Sequence, residues 1–219
     1  STFFYRHTLK LTPGVEKLFN VLRDSTRRNI KKAEKEGIEI RFETSLEAMR
    51  AFYRLNSLTR CEHGLPPQPW HFFVNVHNEI ISKGAGVIAL GLFRERPIAA
   101  NIYLHSNGHA IYKYGASDKK YQHLRANNLL MWETIKRFVG EGCSQLCFGR
   151  TERENKGLRQ FKSGWGAKEN IINYYRYNLA SNSYIPAGQR VSSAANRLFS
   201  SMPLPVSRAI GTLLYRHVG

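Results

Sequence analysis

Three apolar runs, Gly86–Phe93, Ile98–His105 and His109–Gly115, are separated only by the short polar turns Arg94–Pro97 and Ser106–Gly108. Strands joined this closely pair antiparallel, because a parallel return needs a crossover of about a dozen residues. The rest of the chain has to fold around this meander.

Upstream, residues 3–11 read as a strand, with alternation clearest at the end. Thr12-Pro13 offers an N-cap with proline at the first helical position, and Gly37 a C-cap, so a helix is expected between them, restarted near Asp24-Ser25. A strand at Glu39–Glu43, a core helix over Leu46–Leu58, an irregular loop from Thr59 to Pro69 and a helix over Trp70–Ile81 follow. After the meander come a polar exit, Gly115–Asp118, and a helix over Asn127–Val139. A strand at Gln145–Gly149, a polar basic stretch reaching Gly166 and a long strand at Asn170–Leu179 complete the series. The fold class expected is α+β, a mixed, largely antiparallel sheet flanked by helices, over residues 1–180.

Charge is the outlier. The chain carries 33 basic and 16 acidic residues, a net +17, which points to polyanionic partners: nucleic acid, anionic lipid or phosphorylated ligands. Arg23, Arg27, Arg28, Lys31, Lys32 and Lys35 fill one half of the wheel of the helical segment before Gly37, opposite Ile30 and Ala33. That arc is either a solvated face or a phosphate-facing surface. A second concentration, Arg150, Arg153, Lys156, Arg159 and Lys162, lies in the glycine-punctuated stretch Phe148–Gly166 between two buried strands, where chemistry usually sits.

Residues 181–219 form a separate basic tail, since no Asp or Glu occurs after Glu169. Helices are expected over Ala194–Ser200 and Val206–His217, as an interfacial membrane segment, a docking helix, or a strap across the domain's own surface. Three cysteines without metal-ligand or disulfide spacing suit a reducing compartment, and no metal site is expected. No apolar run approaches the length of a membrane span. A cytoplasmic location, peripheral on the inner face of the membrane, is the expectation. The chain opens at Ser1 without an initiator Met and is read as a fragment of a longer protein.

The succession of meander, long helix, strand, short helix in a loop, and strand resembles the second half of the GNAT acyltransferase fold. Arg27-Arg28-Asn29-Ile30-Lys31-Lys32-Ala33-Glu34-Lys35-Glu36-Gly37 resembles the RR-x-IRKAEK-x-G signature of Fem-type (FemABX-like) aminoacyltransferases. Tyr112-Lys113-Tyr114-Gly115-Ala116-Ser117-Asp118 and Gly157-Leu158-Arg159-Gln160-Phe161-Lys162-Ser163-Gly164-Trp165-Gly166 are similar to two further motifs of that family. With Thr59-Arg60 and His63–Pro69, they resemble the Fem-like subgroup associated with exosortase and exopolysaccharide systems.

The resemblance implies transfer of an acyl or aminoacyl group to an amine of a cell-envelope precursor of peptidoglycan or polysaccharide. The acceptor would be nucleotide- or lipid-linked and the donor an aminoacyl-tRNA, with no tightly bound cofactor. It also implies that a first GNAT-like half is missing. An acyl-CoA-dependent N-acyltransferase and a noncatalytic RNA- or membrane-binding module are the alternatives.

Amide formation passes through a tetrahedral oxyanion that needs a cation or aimed donors. The resemblance gives that task to Lys162, which is also a cation beside glycines between core strands. Tyr114 is the candidate to return a proton to the leaving oxygen, and Asp118, ahead of His63 and Glu133, to take one from the amine. Arg27, Arg28, Lys31, Lys32 and Arg60 are expected to hold phosphates, and Thr59, His63, Arg150 and Phe161 to complete substrate binding. The start of the helix at Arg125-Ala126-Asn127 is expected to face an anion. Other GNAT enzymes carry a glycine where Arg125 stands, which weighs against coenzyme A without removing it as a donor.

Overall fold

The computed structural model describes residues 2–185 and 202–215. One seven-stranded sheet has the order β2-β3-β4-β5-β6-β1-β7. It comprises β1 (Thr2–Lys10), β2 (Glu39–Glu43), β3 (Gly86–Phe93), β4 (Arg96–Ser106), β5 (His109–Ser117), β6 (Gln145–Thr151) and β7 (Lys168–Tyr174). Every neighbouring pair is antiparallel except β5–β6, which is parallel, so the sheet is mixed and mostly antiparallel.

Interior strand β3 is buried along nearly its whole length because helices cover both faces. Val87 and Ala89 join one core with Ile30, Leu130, Ile135, Phe138, Leu146 and Trp165. That core lies under α1 (Val15–Asn20), α2 (Asp24–Lys35) and α5 (Ala126–Gly140). Ile88 and Leu90 point the other way, to Met49, Phe52 and Leu55 of α3 (Leu46–Glu62) and Phe73 of α4 (Trp70–Val76).

Helix ends follow local chemistry. Gly37 takes φ +74°; its N–H reaches Glu34 O and that of Ile38 reaches Ala33 O, closing α2 in a Schellman turn. The helix expected from Pro13 starts at Val15 after Gly14, and it breaks at Val21–Arg23 before α2. Thr59 and Arg60, expected in a loop, are the last turn of α3, which continues to Glu62. The helix after Pro69 turns into a π-helical turn at His77–Ile81.

The expected long strand Asn170–Leu179 ends at Tyr174. A separate hairpin follows, β8 (Arg176–Asn178) with β9 (Ser183–Ile185), and it straddles the domain boundary expected at residue 180. In the tail, α7 (Leu204–Leu214) lies against α3; the helix expected over Ala194–Ser200, and Arg216 and His217, fall outside the described residues. A Cβ on Gly211 would stand 2.1 Å from Pro67 O, and Arg208 Nε donates to Ser57 Oγ at 3.1 Å while its guanidinium covers the Tyr53 ring. Strapping across the domain is what α7 does, through small residues, with Val206, Leu213 and Leu214 left exposed. Among the described residues no helix is long and apolar enough to cross a membrane.

Candidate functional site

Strands β5 and β6 pair only through His109–Ile111 and Gln145–Cys147, and the ladder stops there. Gly149 at φ +71° and a register shift between Arg6 and Thr8 turn β6 away from the regular ladder. Near this point a cavity of about 370 Å³ opens toward α5. Its floor is Ile98, Ala99 and Ser117, and its walls are the first turns of α2 and α5 and one side of α6 (Lys156–Ser163).

The motif Gly164-Trp165-Gly166 builds one corner. Gly164 O accepts the N–H of Arg23 at 3.0 Å, and a side chain on Gly164 would press on Thr26 Oγ1. Trp165 is fully buried, and Gly166, at φ +76°, lies against Val21. The glycines thus let α6 close onto the junction of α1 and α2, setting the width of the cavity.

Helix α5 begins at this cavity with no side-chain cap on its first turn. Arg125, Ala126 and Asn127, expected to face an anion, line it together with Asn128. Free N–H groups at a helix start and the positive end of its dipole attract negative charge. Arg125 sits at φ +61°, the left-handed region that glycine adopts freely, so a long cationic side chain occupies a backbone position suited to glycine.

Arg23, from the basic arc expected on the helical segment before Gly37, also lines the cavity, as do Ser25, Asn29, Gln122 and Gln160, for which no role was expected. The available signal was the polar side of the α2 wheel away from the basic arc. Phe161 forms a wall. Asp118 lines it too, accepting from Lys120 N at 3.1 Å, with Arg96 Nη2 3.8 Å from its other oxygen.

Lys162 is elsewhere than the open loop expected for it. It lies on α6, is 2 % exposed, and donates to Thr151 Oγ1 at 2.8 Å and to the carbonyls of Gly149 and Arg150 at 3.2 Å. Those oxygens use all three ammonium donors, and burial pushes the group down to about 8. Behind it, buried His7 stands 3.0 Å from Glu169, although neither ring nitrogen makes an aligned hydrogen bond. Glu169 accepts a bidentate pair from Arg159.

The remaining candidates divide among three places. Tyr114 lies on the opposite, α3 face of the sheet, among Phe52, Phe72 and Phe73; burial raises its phenol, as does Tyr215 nearby. On the same face Arg60 donates twice to Pro66 O, and Thr59 Oγ1 bonds both the N–H and the carbonyl of Ser117. His63 is the exposed C-cap of α3.

Arg28, Lys31 and Lys32 line a shallow exposed groove with Lys35, outside the cavity, while Arg27 is turned to Asp24 and Asn20 O. Arg150 stacks on Phe4 and Tyr174 at the far edge of the sheet, also outside the cavity. Arg153 on Phe3 and Arg159 on Tyr5 repeat that arrangement. Among the described residues, no three His, Cys, Asp or Glu side chains gather as metal ligands.

Among solved structures the chain is similar to FemX, at 13% identity and a TM-score of 0.68, over 75% of this chain and 59% of that one. It is also similar to the C-terminal domain of a putative lysylphosphatidylglycerol synthetase from Agrobacterium fabrum (11% identity, TM-score 0.58, 77% and 58% covered). A third is the ribosomal-protein-S18-alanine N-acetyltransferase from Escherichia coli (15% identity, TM-score 0.52, 67% and 88% covered). The chain spans about three fifths of the length of the first two. No curated protein matches the sequence. At these identities the likeness shows the fold; the family is shown by the sequence profile described as Acetyltransferase (GNAT) domain, which matches residues 21–163, about two thirds of the chain. With the mixed sheet, the β5–β6 split and the cavity at the start of α5, the chain belongs to the GNAT acetyltransferase-domain family.

Proposed function

We propose that the protein transfers an acyl or aminoacyl group from a phosphate-bearing donor to an amine of a cell-envelope precursor, as a Fem-like member of the GNAT group. The observation that carries this reading is the cavity framed by the uncapped start of α5, Arg125 and Arg23. Its size and donors suit the phosphate end of a donor molecule. Assignment to the subgroup beside exosortase and exopolysaccharide systems rests on the sequence motifs alone.

In this scheme Arg125, Ala126 and Asn127 hold the donor phosphate and Phe161 packs against the donor. The amine attacks the acyl carbon, the bond to the leaving oxygen or sulfur breaks, and one proton passes from nitrogen to the leaving atom. Asp118, next to the Ser117 that Thr59 ties to α3, accepts the proton of the amine. Tyr114 and Arg60, on the α3 face, hold the acceptor. Lys162 acts as a positioning residue: it keeps α6 on β6 and leaves a positive charge beside the split. The exposed strip Arg28, Lys31 and Lys32 would lie along a longer polyanionic donor, which favours aminoacyl-tRNA. An acyl-CoA donor is the second reading, favoured by the left-handed backbone at residue 125. On either reading the protein works at the cytoplasmic side of the envelope.

The test is a turnover screen of the protein with charged tRNAs and with acyl-CoAs against amine acceptors. Product with charged tRNA supports the first reading and product with acyl-CoA the second. No transfer from either donor class would leave only a noncatalytic binding role.

A further inference from the structure

The hairpin β8–β9 is well built, yet its large apolar side chains are exposed. Asn178 Oδ1 accepts the N–H groups of Ala180 and Ser181, Asn182 takes φ +47°, and Tyr177 OH bonds Asn182. Tyr177 and Tyr184 face each other across the two strands with ring centroids 5.1 Å apart, and Tyr175 joins Tyr184 at 5.8 Å. These rings are exposed, and Leu179, in the turn, is 88 % exposed.

The distribution of such residues is uneven. Apart from Val21, every exposed large apolar side chain among the described residues lies at or beyond Ile171. Acidic residues are distributed in the opposite way: from Asn170 to Gly219 the sequence holds five arginines and no Asp or Glu. Apolar surface and positive charge without negative charge therefore coincide in one part of the chain. On the outer side of α7, Leu213 and Leu214 repeat the pattern.

We propose that the β8–β9 hairpin seats the protein on an anionic lipid bilayer. Leu179 enters the acyl-chain boundary, and the rings of Tyr175, Tyr177 and Tyr184 take the headgroup level, where an apolar body with a polar tip is stable. Arg176, beside them on β8, faces the lipid phosphates. The exposed aliphatic tip favours this occupant over single-stranded RNA, since leucine offers no ring for a base to stack on. The inference stands on exposure and charge, and does not depend on the acyl-transfer reading.

The experiment is co-sedimentation of the full chain with vesicles of phosphatidylglycerol and phosphatidylcholine, and with pure phosphatidylcholine, at low and high salt. Wild type is expected to bind the anionic vesicles and to weaken with salt. The double variant Leu179→Asp, Tyr184→Ser is expected to bind about tenfold or more weakly, through loss of one inserted aliphatic and one ring. It should melt with wild type, because the hairpin lies outside the main sheet. Binding by the variant equal to wild type would overturn the proposal, leaving only diffuse attraction by the basic surface. Absence of wild-type binding would overturn it too. So would hairpin-dependent binding of an oligoribonucleotide, or hairpin-dependent dimerisation, by a protein that ignores the vesicles.

Discussion

The ammonium of Lys162 stands 2.8 Å from the hydroxyl of Thr151, beyond the last β5–β6 pair at Ile111 and Cys147. A cation in that place ties α6 to the strand that leaves the ladder. It answers the carbonyls of Gly149 and Arg150, for which the bulged strand offers no neighbour on β5.

Replacing Lys162 by Met should therefore lower stability by about 2–4 kcal/mol, because buried oxygens lose charge-assisted bonds. Urea unfolding measures this, and an unchanged midpoint would count against the clamp. The pH dependence has a definite sign. The folded ammonium titrates near 8 against 10.5 for a free lysine, so between those values the unfolded chain holds the extra proton. Wild-type stability should rise relative to Lys162→Met as pH climbs from 8 toward 10.5.

His7 sets the acid side. Burial, opposed by Glu169, lowers its pKa below 6.5, so the folded ring stays neutral where the unfolded one takes a proton. Its contribution is full above pH 6.5 and falls as the pH drops below it. His7→Gln should flatten the loss of stability between about pH 6.5 and 5, followed by thermal melts across that range. Equal slopes for both proteins would show that His7 is not the group responsible.

Gly211 permits α7 to touch the backbone at Pro67, where a Cβ would approach to 2.1 Å. Gly211→Val should release the helix from α3 while the sheet stays folded. Hydrogen exchange should then speed up over residues 204–214, and limited trypsin should cut after Arg208. Unchanged protection would place the anchoring elsewhere on α7.

Much of this architecture was legible in the sequence. The antiparallel meander, β2 and the Gly37 stop follow from alternation and from a residue suited to positive φ. Thr59 and Arg60 were misread because the helical period fades into polar residues several positions before Gly64 and Pro66 interrupt it. Lys162 was misread because an ordinary lysine is almost never buried, and its compensating oxygens come from β6, which spacing on α6 cannot reveal.

That the start of α5 is polar and open was legible from its lead-in, and Arg23 from the basic arc, whereas the contribution of Ser25 and Asn29 was not. It depends on Gly164 meeting the first turn of α2 through contacts far apart in the chain. The expected substrate contacts of Arg150 give way to stacking on Phe4 and Tyr174, a pairing set by the β6–β1–β7 register.

Arg125 is a cationic side chain held at φ +61° beside the uncapped start of α5. Arg125→Gly relieves that backbone, so the variant should melt at or slightly above wild type, by up to about 1 kcal/mol. The direct measurement is equilibrium titration of coenzyme A and of uncharged tRNA into both proteins. Wild type should bind one of these probes, and Arg125→Gly should bind the same probe about tenfold more weakly, as expected for loss of one charge-assisted phosphate contact. Equal affinity in the two proteins, or no binding of either probe by wild type, would contradict the placement of donor phosphate at this helix.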